Sequence, residues 1–321
     1  MTLRTKIGRS HCMRSLSLRV KFGNWWRQPG ARAITALLLL LLANRAWCVE
    51  VYPGDYTALP PGTNLGVVYY ETAERTQSWA RGDRQAGDPR LTSRVGIARY
   101  IHFMEVNGVL IDPQLVMSYG ELDADKDISA LGNRSSFGDP AFVTTAWVIN
   151  DPVKQRYLGI TPYVFFPLGN YDKSSVLNLG DNRWRFVLQA GYIQPLIGPL
   201  MLDLTADASW FGKNTDCAAA CGSATSQTLR QDPLYHLQAA VRWPLAESTT
   251  LFVGAGRIFG GETRIDGVDQ HNRQATTNMR VGVQQFLSKT TMLSVAYGRD
   301  LDIDNGFRET DRLNMRLNFT F

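Results

Sequence analysis

The sequence predicts an all-β fold, a transmembrane up-and-down antiparallel β-barrel of about 12 strands. Three observations predict it. Segments of roughly ten residues, the length a tilted strand needs to cross a bilayer, recur with an apolar residue at every second position. The links that join these segments alternate between long and short. The chain also stops inside such a segment, RLNMRLNFTF at 312–321, on an aromatic residue.

The N-terminal region has a different character. Arg4, Lys6, Arg9, Arg14, Arg19, Lys21, Arg27 and Arg32 precede an apolar run, AITALLLLLLA at 33–43, and the first acidic residue is Glu50. The run suits a secretory signal and falls short of the ~20 residues of a membrane-spanning helix. Residues 1–48 are therefore expected to be a signal peptide cut after Ala46-Trp47-Cys48, with translation starting at Met1 or Met13. Acylation at Cys48 is the lesser alternative, because bulky Trp47 precedes it.

Removing that leader reverses the charge. Nine of the 34 basic residues lie before Val49, leaving 25 against 29 acidic ones, a net of −4. The compositional argument for a nucleic-acid partner disappears with them. Of the four cysteines, Cys217 and Cys221 lie beyond the leader, in TDCAAACGS. A disulfide closing a small loop is expected in an oxidising compartment, whereas a metal site would need further His or Cys nearby.

A Pro/Gly-rich stretch, VYPGDYTALPPGTN, follows, and residues 49–63 are expected to form a periplasmic segment ahead of a barrel over 64–321. Strands are expected at 64–74, 92–104, 109–120, 138–149, 155–167, 183–194, 200–211, 232–243, 249–259, 275–286, 290–300 and 311–321. Alternation is clearest in the middle of the series. Trp184, Phe186, Leu188, Ala190 and Tyr192 oppose Arg183, Arg185 and Gln189. In the next strand Leu202, Leu204, Ala206 and Ala208 oppose Asp203, Thr205 and Asp207; then Tyr235, Leu237, Ala239 and Val241 oppose His236, Gln238 and Arg242. Aromatic residues end these apolar faces, where interfacial girdles belong.

The links run long then short throughout, as in AERTQSWARGDRQAGDPR then EVNG, or GKNTDCAAACGSATSQTLRQ then PLAES, and the last is LDIDNGFRET. Every short link then falls on the periplasmic side beside both termini, which requires an even strand number. The lipid-facing phase follows from cost, because an Arg at mid-bilayer costs about 2–4 kcal/mol. Arg183, Arg185, Arg242, Arg280, Arg312 and Arg316 are accordingly expected to face the lumen with Asp203, Asp207, His236 and Gln238. Opposed charges across a narrow pore select solutes by size and charge; in a small barrel the same charges can also pair and plug it.

Several stretches, FGDPAF (137–142), TPYVFFPLGNYD (161–172), NLGDNRW (178–184), QDPLYHL (231–237), GGETRIDG (260–267) and NGFRET (305–310), occur in this order. In them the chain resembles the meta-pathway phenol-degradation family of transporter-like outer-membrane β-barrel proteins. The resemblance implies a location in the bacterial outer membrane and uptake of aromatic or other hydrophobic compounds. It also implies that the final aromatic strand, with Phe319 and Phe321, is the address read by the barrel assembly machinery.

Enzymatic alternatives find little support. An outer-membrane lipid hydrolase needs His, Ser and an orienting polar residue on a lipid-facing wall. Neither YIHFME around His102 nor LYHLQA around His236 sets a serine two residues away, and His271 lies in an expected loop. Asp123, Asp125 and Asp127, like Asp300, Asp302 and Asp304, have the spacing that begins a calcium loop, but Ile128 and Asn305 stand where such a loop wants Gly. A solvated loop, or divalent-ion bridging to lipopolysaccharide phosphates, is the more reasonable use of these stretches. No enzyme, cofactor or metal is expected. The expected function is an outer-membrane channel or transporter for small solutes, with a plugged structural or adhesive barrel as the alternative. The partners are a small-molecule solute, outer-membrane lipid and lipopolysaccharide, and the assembly machinery.

Deleting Phe321 is expected to cut the amount of assembled protein far more than the lost contact area warrants. Normal outer-membrane levels of the truncated chain, scored by heat-modifiable migration on gels, would contradict this.

Overall fold

The computed structural model describes residues 49–321, and the expected signal peptide lies outside the described residues. Twelve long strands form the wall: β1 Asn64–Ala80, β2 Pro89–His102, β3 Val109–Lys126, β4 Ala141–Asp151, β5 Arg156–Phe165, β6 Arg185–Pro195, β7 Met201–Phe211, β8 Leu234–Ala246, β9 Thr249–Gly260, β10 Gln274–Phe286, β11 Thr291–Ile303 and β12 Gly306–Thr320. Each pairs antiparallel with its chain neighbour, and β12 returns to β1 from Leu65↔Thr320 to Trp79↔Gly306. The ladder closes even at its last residue. The Asn64 N–H donates to the Phe321 carbonyl (3.2 Å) and the Phe321 N–H to the Asn64 carbonyl (3.0 Å). At bilayer depth an open edge would leave polar backbone groups unpaired, so closure is obligatory.

The period of two sorts the side chains as expected. On β12, Leu313, Met315, Leu317 and Phe319 lie on the outer face while Asn314, Arg316 and Asn318 are buried on the inner one. On β6, Phe186 and Leu188 look outward while Arg185, Val187, Gln189 and Ile193 are buried. Short links at 152–155, 196–200, 247–248 and 287–290 gather at the end that carries Asn64 and Phe321. The short link after β2 turns at Asn107 and Gly108, both at positive φ (51° and 79°), as a two-residue hairpin turn matching the twist of its strands requires.

Several expected strand limits are too short. β1 continues to Ala80 and β3 to Lys126, and most of LDIDNGFRET is strand, leaving a tight turn at 304–305. Beyond the membrane both faces of a strand are polar and the alternation vanishes, yet backbone pairing needs no particular side chains. The long links also build a separate four-stranded sheet from Asn214–Cys217, Gln227–Gln231, Thr263–Ile265 and Val268–Asp269. The expected disulfide Cys217–Cys221 (Cα–Cα 5.6 Å) packs there with Ala220, Leu229 and Ile265.

One expectation is corrected. The segment before β1, expected at the periplasmic side, runs into the barrel. Val51, Tyr52 and Tyr56 are buried there against Val67, Tyr69, Trp147, Ile193, Met201 and Phe252. Room for the Tyr56 ring comes from two wall glycines, Gly159 and Gly191, where an added Cβ would collide with it.

Gly191→Val should therefore push Tyr56 off the wall, an overpacking cost of about 1–3 kcal/mol. The unfolding temperature of the heat-modifiable barrel is expected to drop, whereas Ala190→Val, on the lipid face, should leave it unchanged.

Candidate functional site

Strands present inward side chains in rows, and the inserted segment meets those rows rung by rung. Nearest the periplasmic end, Arg316 of β12 pairs with Asp55 and donates to Asn318 Oδ1 at 2.7 Å. Its guanidinium lies 5.1 Å from the centroid of Tyr52 and 5.4 Å from that of Tyr69. The Gly54 N–H donates to Asp203 Oδ1 (2.7 Å), whose other oxygen accepts from Arg242 Nε (2.7 Å). Gln284 Nε2 donates to the Pro53 carbonyl (2.8 Å) and Trp147 Nε1 to the Tyr56 carbonyl (3.0 Å). The Tyr56 hydroxyl donates to Gln189 Oε1 at 2.9 Å and lies 2.9 Å from Thr161 Oγ1.

Further in, Gln238 brackets the backbone, accepting from the Val51 N–H (3.2 Å) and donating to the Val49 carbonyl (3.1 Å). Arg280 holds Glu50 and the Val51 carbonyl, both at 2.5 Å. Arg312 reaches Glu50 (2.5 Å), Glu71 (3.3 Å) and Glu309 (3.5 Å), and Arg75 pairs with Glu309. These charged hydrogen bonds fix where the segment sits against the wall, so it is a plug with a defined register.

Of the residues expected to line the lumen, Arg183 lies elsewhere, and most of the others bind the plug. Asp203, Gln238, Arg242, Arg280, Arg312 and Arg316 do so directly or through one intermediary. Asp207 accepts from Gln189 Nε2 (3.2 Å) and lies 3.8 Å from His236, forming a polar row beside the plug. Arg185 stacks 3.7 Å from the Phe165 centroid. Arg183 precedes β6 and is buried among the links at the opposite end, donating to Gln231 Oε1 at 2.6 Å. Strand alternation carries no information about Glu50, Asp55 and Tyr56, which lie outside any strand, and they were missed as site residues. The available signal was their concentration of acidic and aromatic residues around a Pro-Gly turn.

A second closure covers the extracellular mouth. The link 166–184, between β5 and β6, sends Val176 and Leu177 across to Leu91, Ala124, Ile128 and Phe307. Phe307 belongs to β12, on the far side of the ring. Asp139 ties down the base of this lid, accepting from the Gly169 N–H (2.9 Å) and the Asp181 N–H (2.8 Å). Its carboxyl is raised above the ordinary aspartate range by burial, against the pull of those two amides. Arg134 holds the lid at Asp172 (3.0 Å), whose carboxyl is lowered by hydrogen bonds from Ser174. Lys173 ties it to Asp216 of the disulfide-bearing link (3.4 Å). Stretches that resemble the family, FGDPAF, PLGNYD and NLGDNRW, therefore converge on Asp139.

Between plug and lid lies a chamber of about 180 Å³. Val95, Val116 and Phe165 contribute apolar and aromatic surface to it, and Glu50, Glu71, Arg99, Asp139, Asp181, Arg185 and Arg312 line it as well. A more polar cavity of about 140 Å³ adjoins it, with Arg75, Gln238, Arg280 and Glu309. On the periplasmic side of the plug a larger cavity of about 550 Å³ is lined by Arg99, Gln114, Arg242 and Lys289. The geometry disfavours lipid hydrolysis: His236 faces the lumen, and His102 Nδ1 lies 2.9 Å from Asn64 Oδ1. Among the described residues no group of three His, Cys, Asp or Glu is arranged to hold a metal ion.

A family model described as "Putative MetA-pathway of phenol degradation" matches residues 64–317. An outer membrane channel from Pseudomonas putida F1, known from its crystal structure, is 37% identical, with a TM-score of 0.80 over 85% of this chain and 100% of its own. The β domain of the Bordetella autotransporter BrkA shares 12% identity over 82% and 100% of the two chains, at a TM-score of 0.48. The transport unit of the Escherichia coli autotransporter AIDA-I shares 8% over 91% and 97%, at 0.46. Neither autotransporter bears on function at that distance. No curated protein sequence matches the chain.

Asp139→Ala removes both tethers at the base of the lid. Limited proteolysis should then cut within 166–184 at least about tenfold faster, since even one lost charged hydrogen bond is worth roughly 1.5–3 kcal/mol, with the heat-modifiable barrel intact.

Proposed function

Because the chain belongs to the MetA-pathway of phenol degradation family, we propose that it is an outer-membrane channel that admits small aromatic or other hydrophobic solutes through a gated lumen. The single observation that carries this reading is the chamber of about 180 Å³ between plug and lid. A cavity of about 150 Å³ accommodates benzene, so by volume this chamber can hold one ring with a small substituent. Its mixed wall, with apolar and aromatic side chains such as Val95, Val116 and Phe165 interspersed with Arg99, Arg185 and Arg312, suits a solute that has both a ring and a polar group. The role is transport, not catalysis. The cavities on either side of the plug supply the rest of the path. The density of contacts on the plug favours a second reading, a permanently closed barrel with a structural or adhesive role.

The same reading includes export by a cleaved signal peptide over residues 1–48 and assembly through recognition of Phe319 and Phe321, whose rings stack 6.0 Å apart on the outer face. Lipopolysaccharide is the natural neighbour of the outward pairs Arg94–Glu121 (3.3 Å) and Arg257–Asp302 (3.6 Å) near the extracellular strand ends.

Removing residues 50–59 should convert the barrel into an open pore. In planar bilayers the deletion variant is expected to conduct several-fold more than the intact protein. Cells lacking the protein should accumulate a small aromatic solute such as benzoate more slowly than cells carrying it. Equal conductance with and without the plug, together with unchanged uptake, would leave the closed structural barrel as the better account.

A further inference from the structure

The plug has an anchor and a tip, and different chemistry holds each. The anchor, 53–56, is fixed by the Tyr56 ring, the Gly54 amide, the Asp55–Arg316 pair and two backbone carbonyls. The tip, 49–51, has one set of ionic contacts, all made by the Glu50 carboxylate, beside hydrogen bonds between Gln238 and the backbone of Val49 and Val51 and from Arg280 to the Val51 carbonyl. Glu50 Oε1 accepts from Arg280 Nη1 (2.5 Å), while its Oε2 lies 2.5 Å from Arg312 Nη2 and accepts from Asn314 Nδ2 (3.2 Å).

We propose that these wall groups form a binding site for a small organic monocarboxylate, which Glu50 occupies as an internal stand-in. A solute carboxylate exchanges with Glu50 and loosens the tip, which then keeps only its backbone hydrogen bonds, while the anchor stays in place. This rests on the channel reading above and adds the chemistry of its gate.

The argument turns on exchange against release. Among the described residues Glu50 is the one carboxylate within ion-pair distance of Arg280, whereas Arg312 also holds Glu71 (3.3 Å) and Glu309 (3.5 Å). If Glu50 simply left, Arg280 would stay inside the barrel without a counter-charge, and breaking a buried pair in that way is strongly unfavourable. If another carboxylate takes its place, the charges and the donors Arg280 and Asn314 are satisfied as before. The guanidinium fork suits any carboxylate of that geometry. A neutral aromatic cannot make this exchange, and a dianion meets Glu71 and Glu309 beside Arg312. Glu50 borders both the chamber and the polar cavity, so an incoming carboxylate reaches its oxygens without first moving the anchor.

The test uses Val49→Cys in the otherwise intact protein, in lipid vesicles, with a membrane-impermeant maleimide as the probe of tip exposure. Both native cysteines of the described chain are in the disulfide and do not react. Sodium benzoate should accelerate modification roughly tenfold, the ratio expected for loss of one charged hydrogen bond, and benzyl alcohol should not. With Glu50→Gln added, modification should be fast without benzoate, and benzoate should bind measurably in titration calorimetry. With Arg280→Gln added, the benzoate effect should vanish. The inference is overturned if benzoate leaves the rate unchanged while all variants migrate as heat-modifiable barrels, or if benzyl alcohol accelerates it equally. Failure of the channel reading looks different: benzoate-dependent labelling persists, but the plug-deleted barrel does not conduct.

Discussion

The rest of the structure depends on one constraint, that backbone polar groups at bilayer depth must all find partners within the protein. The pairing of β12 with β1 meets it, down to the two hydrogen bonds between Asn64 and Phe321. Once the sheet is closed, its two faces have opposite obligations. The outer face must be apolar, and the period of two then assigns every alternate residue to the lumen. Polar residues collect there because the outer face excludes them, and the interior needs partners for Arg242, Arg280, Arg312 and Arg316 that its own wall supplies only in part.

The inserted segment answers that shortage. Glu50 and Asp55 bring carboxylates to arginines of β10 and β12, and backbone groups of 49–56 satisfy Gln238, Asp203 and Gln284. Aromatic burial adds to this. Tyr52 and Tyr56 fill volume between the polar rows, and Gly159 and Gly191 give up their side chains so that the Tyr56 ring can approach the backbone. Desolvating paired charges contributes little net stability by itself. The apolar contacts therefore supply most of the driving force for insertion, and the charges determine where the segment stops.

How legible this was in the sequence follows from the same division. Strand number, closure and the inward phase of Arg185, Arg280 and Arg316 could be read because lipid enforces strict alternation on every membrane-crossing residue. Where lipid ends, the signal ends too. Thus β1 and β3 overrun their expected limits, and Arg183, two residues before β6, binds Gln231 among the links instead of lining the pore. The plug was illegible as a plug because 49–63 forms no strand of the wall, and its Pro-Gly composition describes a turn without saying where the turn sits. The lid escaped for a related reason. Val176 and Leu177 are two ordinary apolar residues in a long link, and their importance comes from Phe307 and Leu91, reached only when the ring closes.

The two closures resist different solutes. At the extracellular mouth, Val176 and Leu177 rest on Phe307, Leu91 and Ile128, and an arriving apolar molecule can replace such contacts with its own at small net cost, since the hydrophobic effect is not directional. At the tip of the plug the contacts are ionic, and an apolar molecule cannot replace them. A simple ion has the converse difficulty: it has the charge for the inner barrier but nothing with which to substitute for the apolar lid. A molecule with a ring at one end and a single carboxylate at the other matches both barriers in the order it would meet them. On the channel reading proposed above, selectivity resides in the succession of two unlike closures around a chamber of about 180 Å³, more than in any single constriction.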